Sequence, residues 1–580
     1  MIAIKSNTQY IIYKMNSKSF LMAAMASTLV LSSCSKLGEL SADNFTVTPS
    51  PLEEISGKVP ATINGRFPEK YMKKKAVVTV TPVLRYENGQ VLGQPATFQG
   101  EKVQGNNQEI SYKVGGSYTM RNTFDYVPAM LKSELYLTFD AKIGKKTFNV
   151  PEVKVADGVV ATSTLLANTI GSANTANATD SYQYAIAQTK QAQIKYLIQQ
   201  AKVRTSELKT VSVKEFLQTL RDIKNDQKGY MLDGIEVSAY ASPDGGLKLN
   251  TALAENRGKS SSNFLKGELK KMKLDAEVQS TYTAEDWDGF QQLVAASNIQ
   301  DKDVILRVLS MYSDPEEREK QIKNISVAFK ELAEEVLPEL RRARLTVNYQ
   351  LIGRSDDEIQ EQFKTDATKL SVEELLYAAT LTENTAEQKA IYETTAKLYP
   401  NDYRAFNNLA SLAYKAGDLA VAENYVQKAL QINPSAAEAN ANKALVEMAK
   451  GKATEAQTYL AKATTAKNYN ELLGNLQVAA GNYAQSAQNL KGVSTNSAAL
   501  AQILNKDYTE AAQTLAQIAT PDATTDYLKA VLAARTGQEA TAIQNLRNAF
   551  AKDASFKERA KRDLEFVSLF NNSTFQSIVK

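Results

Sequence analysis

The chain contains no histidine and a single cysteine, Cys34. These absences remove Ser-His-Asp and Cys-His nucleophile arrangements, histidine-ligated metals, cysteine clusters and structural disulfides. An enzyme built on paired carboxylates or on a lysine remains possible, but the sequence shows no recognisable motif for one. We therefore expect a protein with no catalytic residues, no metal site and no cofactor.

A strong charge of either sign is also lacking. The 68 Lys and Arg residues against 64 Asp and Glu residues give a net charge of +4 over 580 residues. A net charge this small does not predict binding to nucleic acid. The length suits about three or four domains, and the hydrophobic content of 43% is ordinary for globular protein.

Long apolar runs are scarce, and the one clear run lies near the start of the chain. Residues 20–33 (FLMAAMASTLVLSS) follow Lys14 and Lys18. The run is shorter than the roughly 18 apolar residues of a spanning helix, and its basic flank is typical of a signal peptide. Because Leu31-Ser32-Ser33-Cys34 resembles the lipobox of bacterial lipoproteins, we expect a signal peptide over residues 1–33 and a lipid on Cys34. The alternative is a buried cysteine at the end of a core helix.

The next part of the chain predicts a β domain. Residues 34–51 are polar and end in prolines, so we expect a tether. Residues 52–160 contain strand-like segments separated by turn residues, including an Asn88-Gly89 hairpin signal. The pattern predicts a β-sandwich of the immunoglobulin-like kind. Residues 161–183 are rich in Ala, Ser, Thr and Asn, and we interpret them as a linker, with a helix as the alternative.

Residues 184–354 predict an α/β domain centred on a strand, a tight loop and a helix. Ile235, Val237 and Ala239 alternate with polar residues, and a loop rich in Pro and Gly follows at residues 242–246. Further predicted elements are a first strand through Ile194, Tyr196 and Ile198, a helix over 213–223, a strand over 275–282 and a last strand entered at 341–345. A helical insertion, residues 285–338, contains the lone tryptophan, Trp287, for which we expect a packing role.

The strand–loop–helix segment resembles the peptidoglycan-binding, OmpA-like domain. The resemblance is carried by Ala239-Tyr240-Ala241 at the strand end and by Asn250-Thr251-Ala252-Leu253-Ala254-Glu255-Asn256-Arg257-Gly258 in the helix. It implies that Arg257 binds a carboxylate of the wall peptide, because a guanidinium can donate two parallel hydrogen bonds to a carboxylate. The family's acidic loop residue falls on Ser242 here, and Asp244 is the candidate replacement. The residues implied for peptidoglycan are thus Arg257, Asp244, Asn250 and Ser242.

Two of these residues, Arg257 and Asp244, also have a purely structural interpretation. Arg257 could form an ion pair with a neighbour such as Asp244, and Asp244 could cap the turn or the helix.

From residue 362 to residue 580 the sequence is Ala-rich and repetitive. Similar sequence segments, which we call repeat phrases, begin at Gly417, Gly451, Gly481, Lys506 and Gly537. The first two glycines lie 451 − 417 = 34 residues apart, which is the tetratricopeptide period. The region resembles tetratricopeptide repeats and predicts an all-α solenoid of helix pairs with a concave groove. We expect a protein partner in that groove, with a structural spacer as the alternative.

These features together resemble a bacterial lipoprotein with an OmpA-like domain and tetratricopeptide-like repeats. They predict a non-enzymatic scaffold, attached by lipid to the periplasmic face of the outer membrane, that contacts peptidoglycan and a protein partner. The alternative is an accessory subunit of a surface-appendage or secretion assembly that does not bind the wall. Hydrolysis of wall material would instead indicate an enzyme.

Overall fold

The computed structural model describes residues 37–299, 302–324 and 330–580, so the predicted signal peptide and the predicted lipid site at Cys34 lie outside the described residues. The chain forms two compact units. One contains the described residues up to Thr175 together with Ala444–Lys580, and the other is Ala176–Lys443. The repeat region therefore contributes to both units. This division is compatible with a repeat array, in which each repeat contacts only its neighbours.

The first unit begins with a β domain of two sheets. The shorter sheet has the order β1-β2-β7 and the longer one β6-β5-β3-β8-β9, with β4 paired to β3. The strands are β1 Phe45–Thr48, β2 Lys58–Phe67, β3 Ala76–Tyr86, β4 Gly89–Leu92, β5 Ala96–Gly100, β6 Gln108–Ile110, β7 Gly116–Asp125, β8 Ser133–Ile143 and β9 Lys146–Gly158. Buried side chains from both sheets form one core, and the hairpin predicted at Asn88-Gly89 is confirmed by the pairing of Tyr86 with Gly89.

The expectation of a tether over residues 34–51 is wrong for its described part. Leu37 and Leu40 are buried in the core of the β domain, and β1 pairs with β2 along its length. The side chains of Phe45 and Val47 are buried, because they alternate with polar residues at the period of a strand.

The second unit contains the predicted α/β sheet. Its strands are β10 Ala185–Lys195, β11 Tyr230–Tyr240, β12 Val278–Thr283 and β13 Arg342–Ile352, in the order β10-β13-β11-β12. The β11–β12 pair is parallel and the other pairs are antiparallel. Helices Val211–Asn225 and Leu247–Met272 contribute Phe216, Leu220 and Leu265 to the core beneath the sheet.

One detail of this domain differs from the sequence prediction. The first strand ends at Lys195, so Ile198 lies beyond it and is exposed. Leu249, near the start of helix Leu247–Met272, is also exposed. Both residues flank the loop at 242–246, where the chain leaves the packed sheet and apolar side chains are not covered.

The insertion is helical and has its own small core. Its helices are Trp287–Ala296, Lys302–Met311 and Pro315–Asn324, and a π-helical turn Leu332–Val336 leads into helix Leu337–Leu340. Trp287 packs edge-to-face on Phe290, with ring centroids 5.7 Å apart. This contact agrees with a packing role for the tryptophan.

The chain is helical from Asp356 to Val579. The helices are Asp356–Asp366, Val372–Ala378, Thr385–Leu398, Tyr403–Lys415, Leu419–Ile432, Ala437–Ala449, Ala453–Leu460, Tyr469–Ala479, Tyr483–Asn489, Asn496–Leu504, Tyr508–Gln517, Ala523–Arg535, Glu539–Lys552, Ser555–Ala560 and Ser573–Val579. All five predicted repeat phrases fall at the turn between two paired helices. The backbone there has a positive φ, at Gly417, Gly451, Gly481, Lys506 and Gly537. None of the helices in the described part of the chain is long and apolar enough to cross a membrane.

Candidate functional site

The predicted wall-binding residues come together at one end of the α/β sheet. Ser242 and Asp244 lie in the loop after β11, and Asn250 and Arg257 lie on the helix that follows. All four line one small cavity of about 70 Å³, which Arg341 also lines. The four predicted residues thus lie together, and the sequence analysis assigned Arg341 only to the entry of the last strand.

Arg257 is only 1% exposed, and its guanidinium donates to backbone carbonyls. Nε donates to Gln200 at 3.0 Å, Nη1 to Tyr240 at 2.8 Å and Nη2 to Leu197 at 3.4 Å. The guanidinium also lies over the ring of Tyr196, 5.3 Å from its centroid. Burial lowers the pKa of Arg257 to about 10, so the side chain is still a cation at pH 7. Its hydrogen bonds therefore connect the helix to the end of β11 and to the segment that follows β10.

Asp244 is engaged by two neighbours. Nη2 of Arg341 donates to its carboxylate at 3.0 Å, and the hydroxyl of Ser242 donates to the other carboxylate oxygen. The Asp244 and Arg341 side chains are mostly buried. The carboxylate of Asp244 thus forms its ion pair with Arg341 and not with Arg257.

The remaining predicted residue, Asn250, shapes the loop. Its Nδ2 donates to the carbonyl of Gly245 at 2.6 Å, and the side chain is buried. On the other side of the loop, Pro243 and Asp244 meet Trp287 and Leu337 of the insertion around a space of about 10 Å³. The insertion therefore packs directly on the loop of residues 242–246.

A second polar site lies on the helical repeats, and sequence reasoning did not identify its residues. In the second unit, Asn408 makes a two-way contact with Ala178: Oδ1 accepts from the amide at 2.8 Å and Nδ2 donates to the carbonyl at 2.9 Å. Asn442 does the same with Ala176, at 2.8 and 2.7 Å. Asn407 adds a bond to the carbonyl of Ala176 at 2.9 Å. The segment predicted as a linker is therefore held as an extended peptide against the repeats.

The same segment is held further along by charged side chains. The amide of Ser181 donates to Glu373 at 2.6 Å, and Arg404 donates to both carboxylate oxygens of Glu373, at 2.9 and 2.6 Å. Arg404 also reaches the carbonyl of Thr179 at 3.4 Å. The hydrogen bonds from Arg404 lower the pKa of Glu373 below its usual value. Each of these contacts from the repeats to residues 176–181 involves the peptide backbone.

Comparable contacts occur in the first unit, where residues 162–172 form short helical turns and residue 174 lies outside any helix or strand. Glu471 accepts from the amide of Asn174 at 3.1 Å and from its side-chain amide at 2.9 Å, while Asn468 donates to its carbonyl at 2.7 Å. Burial raises the pKa of the Glu471 carboxyl. Ser497 also donates to the hydroxyl of Thr169 at 3.0 Å. Residues 161–183, for which we predicted a linker with a helix as the alternative, thus contain short helical turns up to Ser172 and form hydrogen bonds to the repeats further along.

A sequence signal for the Asn contacts existed. Asn408 and Asn442 are 442 − 408 = 34 residues apart, one repeat period, and both lie in the first helix of a pair. An amide side chain that recurs at the repeat period on the first helix of each pair presents the same donor and acceptor at each repeat. Its two-way pairing with a peptide group needs no particular partner side chain.

No family model matches the sequence, and no curated protein matches it. Part of the chain is similar in fold to solved tetratricopeptide proteins at low identity. A tetratricopeptide repeat protein from Parabacteroides merdae is 15% identical, with 36% of this chain and 91% of that chain covered and a TM-score of 0.28. PilF of Pseudomonas aeruginosa is 19% identical, with 39% and 98% covered and a TM-score of 0.24. PilW, a type IV pilus biogenesis factor, is 15% identical, with 37% and 100% covered and a TM-score of 0.26.

Proposed function

We propose that this protein is a non-enzymatic scaffold of the bacterial cell envelope whose helical repeats hold an extended polypeptide segment. A lipid on Cys34 anchors it to the periplasmic face of the outer membrane. The observation that carries the proposal is the pair of two-way contacts from Asn408 to Ala178 and from Asn442 to Ala176. Contacts of this kind are expected in a groove that binds a peptide through its backbone.

The buried position of the contacts makes them strong enough to hold a segment in place. Ala176 and Ala178 are 2% and 5% exposed, so their peptide groups have exchanged water for the Asn side chains. Each hydrogen bond of this kind contributes about 1 kcal/mol net, and an unsatisfied buried partner costs about 1–3 kcal/mol. Removal of one Asn therefore releases the local segment, and removal of both frees it from this part of the groove.

Limited proteolysis of the purified full chain with elastase, which cleaves after small residues, tests the groove. We expect the parent to resist cleavage at residues 176–179 and the Asn408→Ala/Asn442→Ala variant to be cut there. Asn424→Ala is the matched control, because Asn424 is exposed on the second helix of the same pair. Equal cleavage of parent and double variant would contradict the proposal.

The anchor is tested separately by growth with labelled palmitate. We expect the label in the parent and none in Cys34→Ala, which should also leave the membrane fraction. A parent chain without label would remove the lipid anchor from the proposal and leave the groove unaffected.

Peptidoglycan binding is a second candidate function. It is favoured by the convergence of Arg257, Asp244, Asn250 and Ser242 on one cavity. Against it stand the cavity volume of about 70 Å³, where ligand pockets usually measure about 300–1,000 Å³, and the Arg341–Asp244 ion pair that already uses the acid. These observations favour the alternative in which this domain is a docking module of an appendage or secretion assembly.

Co-sedimentation of the full chain with purified peptidoglycan decides between the two. A wall-binding protein would sediment and lose binding in Asp244→Asn, whereas a docking module stays in solution. Asp233→Asn is the control, since Asp233 lies at the far end of β11 and is exposed.

A further inference from the structure

Residues 176–179 alternate in the way they face the repeats. Ala176 and Ala178 are buried against them, while Asn177 and Thr179 are exposed. This is the period of an extended chain, whose successive side chains point to opposite sides. The two buried positions carry only a methyl group.

The contacts to the two buried residues identify what the groove recognises. Asn408 and Asn442 contact residues 176–178 only through peptide groups. Asn407 links the two side chains: its Oδ1 accepts from Asn442 at 2.9 Å, and its Nδ2 donates to Oδ1 of Asn408 at 3.1 Å and to the carbonyl of Ala176 at 2.9 Å. None of these contacts depends on the identity of Asn177 or Thr179. The selectivity lies instead in the space at positions 176 and 178, where a larger side chain would push the peptide away from the amides.

We propose that residues 176–179 are a resident ligand in an exchangeable site. The site accepts from other polypeptides an extended segment with small side chains at two positions separated by one residue. This inference rests on the proposed function and adds to it the class of partner and the segment that competes with it. The exposed intervening residues leave the partner free to vary at alternate positions.

The resident segment has an advantage over a free peptide because it is part of the same chain. The exchange experiment has to remove this advantage. A segment tethered within the same chain acts at an effective concentration in the millimolar range. A free peptide therefore competes poorly with the intact chain. It should bind well only when the resident segment has been made unable to enter the groove.

The test uses a fluorescein-labelled peptide of residues 173–183 (ANTANATDSYQ) and fluorescence anisotropy on the purified full chain. In the displaced variant, Ala176→Arg/Ala178→Arg, we expect the peptide to bind at least tenfold more tightly than to the parent. The matched control Asn177→Arg/Thr179→Arg adds the same charge on the exposed side. It should bind the peptide no better than the parent does.

Two further arms locate the binding. Asn408→Ala/Asn442→Ala added to the displaced variant should abolish binding, and so should arginine at the two alanine positions of the peptide. If the displaced variant loses helical circular dichroism, the single change Ala178→Arg takes its place, with an expected gain of at least threefold.

Three results would overturn the inference. The first is a folded displaced variant that does not bind the peptide at up to 1 mM, which is about the effective concentration of the resident segment. The second is peptide binding that survives the loss of both Asn408 and Asn442. The third is equal binding of the arginine-containing peptide and the original one. A parent that resists elastase while its folded displaced variant binds nothing would refute exchange alone. A parent that elastase cuts freely would refute the proposed function itself.

Discussion

Replacement of Arg257 separates a structural arginine from a ligand-binding one. In Arg257→Ala the carbonyls of Gln200 and Tyr240 lose donors at 3.0 and 2.8 Å, and a side chain that is 1% exposed leaves a cavity. Hydrogen bonds to charged groups contribute about 1.5–3 kcal/mol each, so we expect a loss of about 4 kcal/mol in the free energy of unfolding. With a urea dependence of about 2 kcal/mol per molar, the unfolding midpoint should fall by about 2 M.

Trp287 provides a local assay for this change. It is the only tryptophan of the chain and packs in the insertion beside the loop of Asp244. Its fluorescence during urea unfolding therefore reports the α/β domain rather than the whole protein. Arg221→Ala is the control, because Arg221 is exposed on helix Val211–Asn225 and should change stability by less than about 0.5 kcal/mol. An unchanged midpoint in Arg257→Ala would refute the structural role derived from its contacts.

Two further predictions concern the repeats. The pKa of Glu373 is lowered by Arg404, so the stabilisation from this pair is present above the usual carboxyl pKa and is lost as the pH falls through the lowered value. The melting temperature of Arg404→Ala, followed by circular dichroism at 222 nm, should therefore lie below that of the parent at pH 7, and the difference should shrink as the pH falls through the lowered pKa of Glu373. A difference that stays constant on acidification would contradict the pair. Gly451 and Gly481 both have a positive φ, but a Cβ on Gly481 would lie 2.5 Å from Ile55 while one on Gly451 meets nothing within 4 Å. Gly481→Ala should thus lower the free energy of unfolding by about 1–3 kcal/mol more than Gly451→Ala in urea titrations, and equal losses would show that Ile55 does not pack there.

Much of the fold could be read from periodicity. The helix with Phe216 and Leu220 on one face and the strand with Ile235 and Val237 buried follow from patterns of 3.6 and 2 residues. Four of the five repeat turns could be placed at their glycines, Gly417, Gly451, Gly481 and Gly537, because glycine adopts the left-handed backbone without strain; the fifth turn has Lys506 in the same conformation. These signals are local, so a single stretch of sequence contains them.

The candidate sites were less predictable because their key contacts join distant parts of the chain. The family resemblance brought Arg257 and Asp244 to one cavity, but the pairing of Asp244 with Arg341 spans 97 residues and has no local pattern. The segment at Ala176 looked like a linker because Ala, Ser, Thr and Asn form no apolar stripe. Its binding partner, Asn442, is 266 residues away. Because these contacts involve the peptide backbone, they require no particular side-chain pattern in the bound segment.

The most direct measurement of the central claim is amide hydrogen exchange at Ala176 and Ala178 in the purified full chain. The account predicts slow exchange in the parent. It also predicts exchange of Ala176 about 100-fold faster in Asn442→Ala, since one lost bond and one unsatisfied buried amide amount to about 2–3 kcal/mol, with Asn424→Ala unchanged. Exchange of both amides at the rate of an unstructured peptide in the parent would contradict the claim that the repeats hold this segment by its backbone.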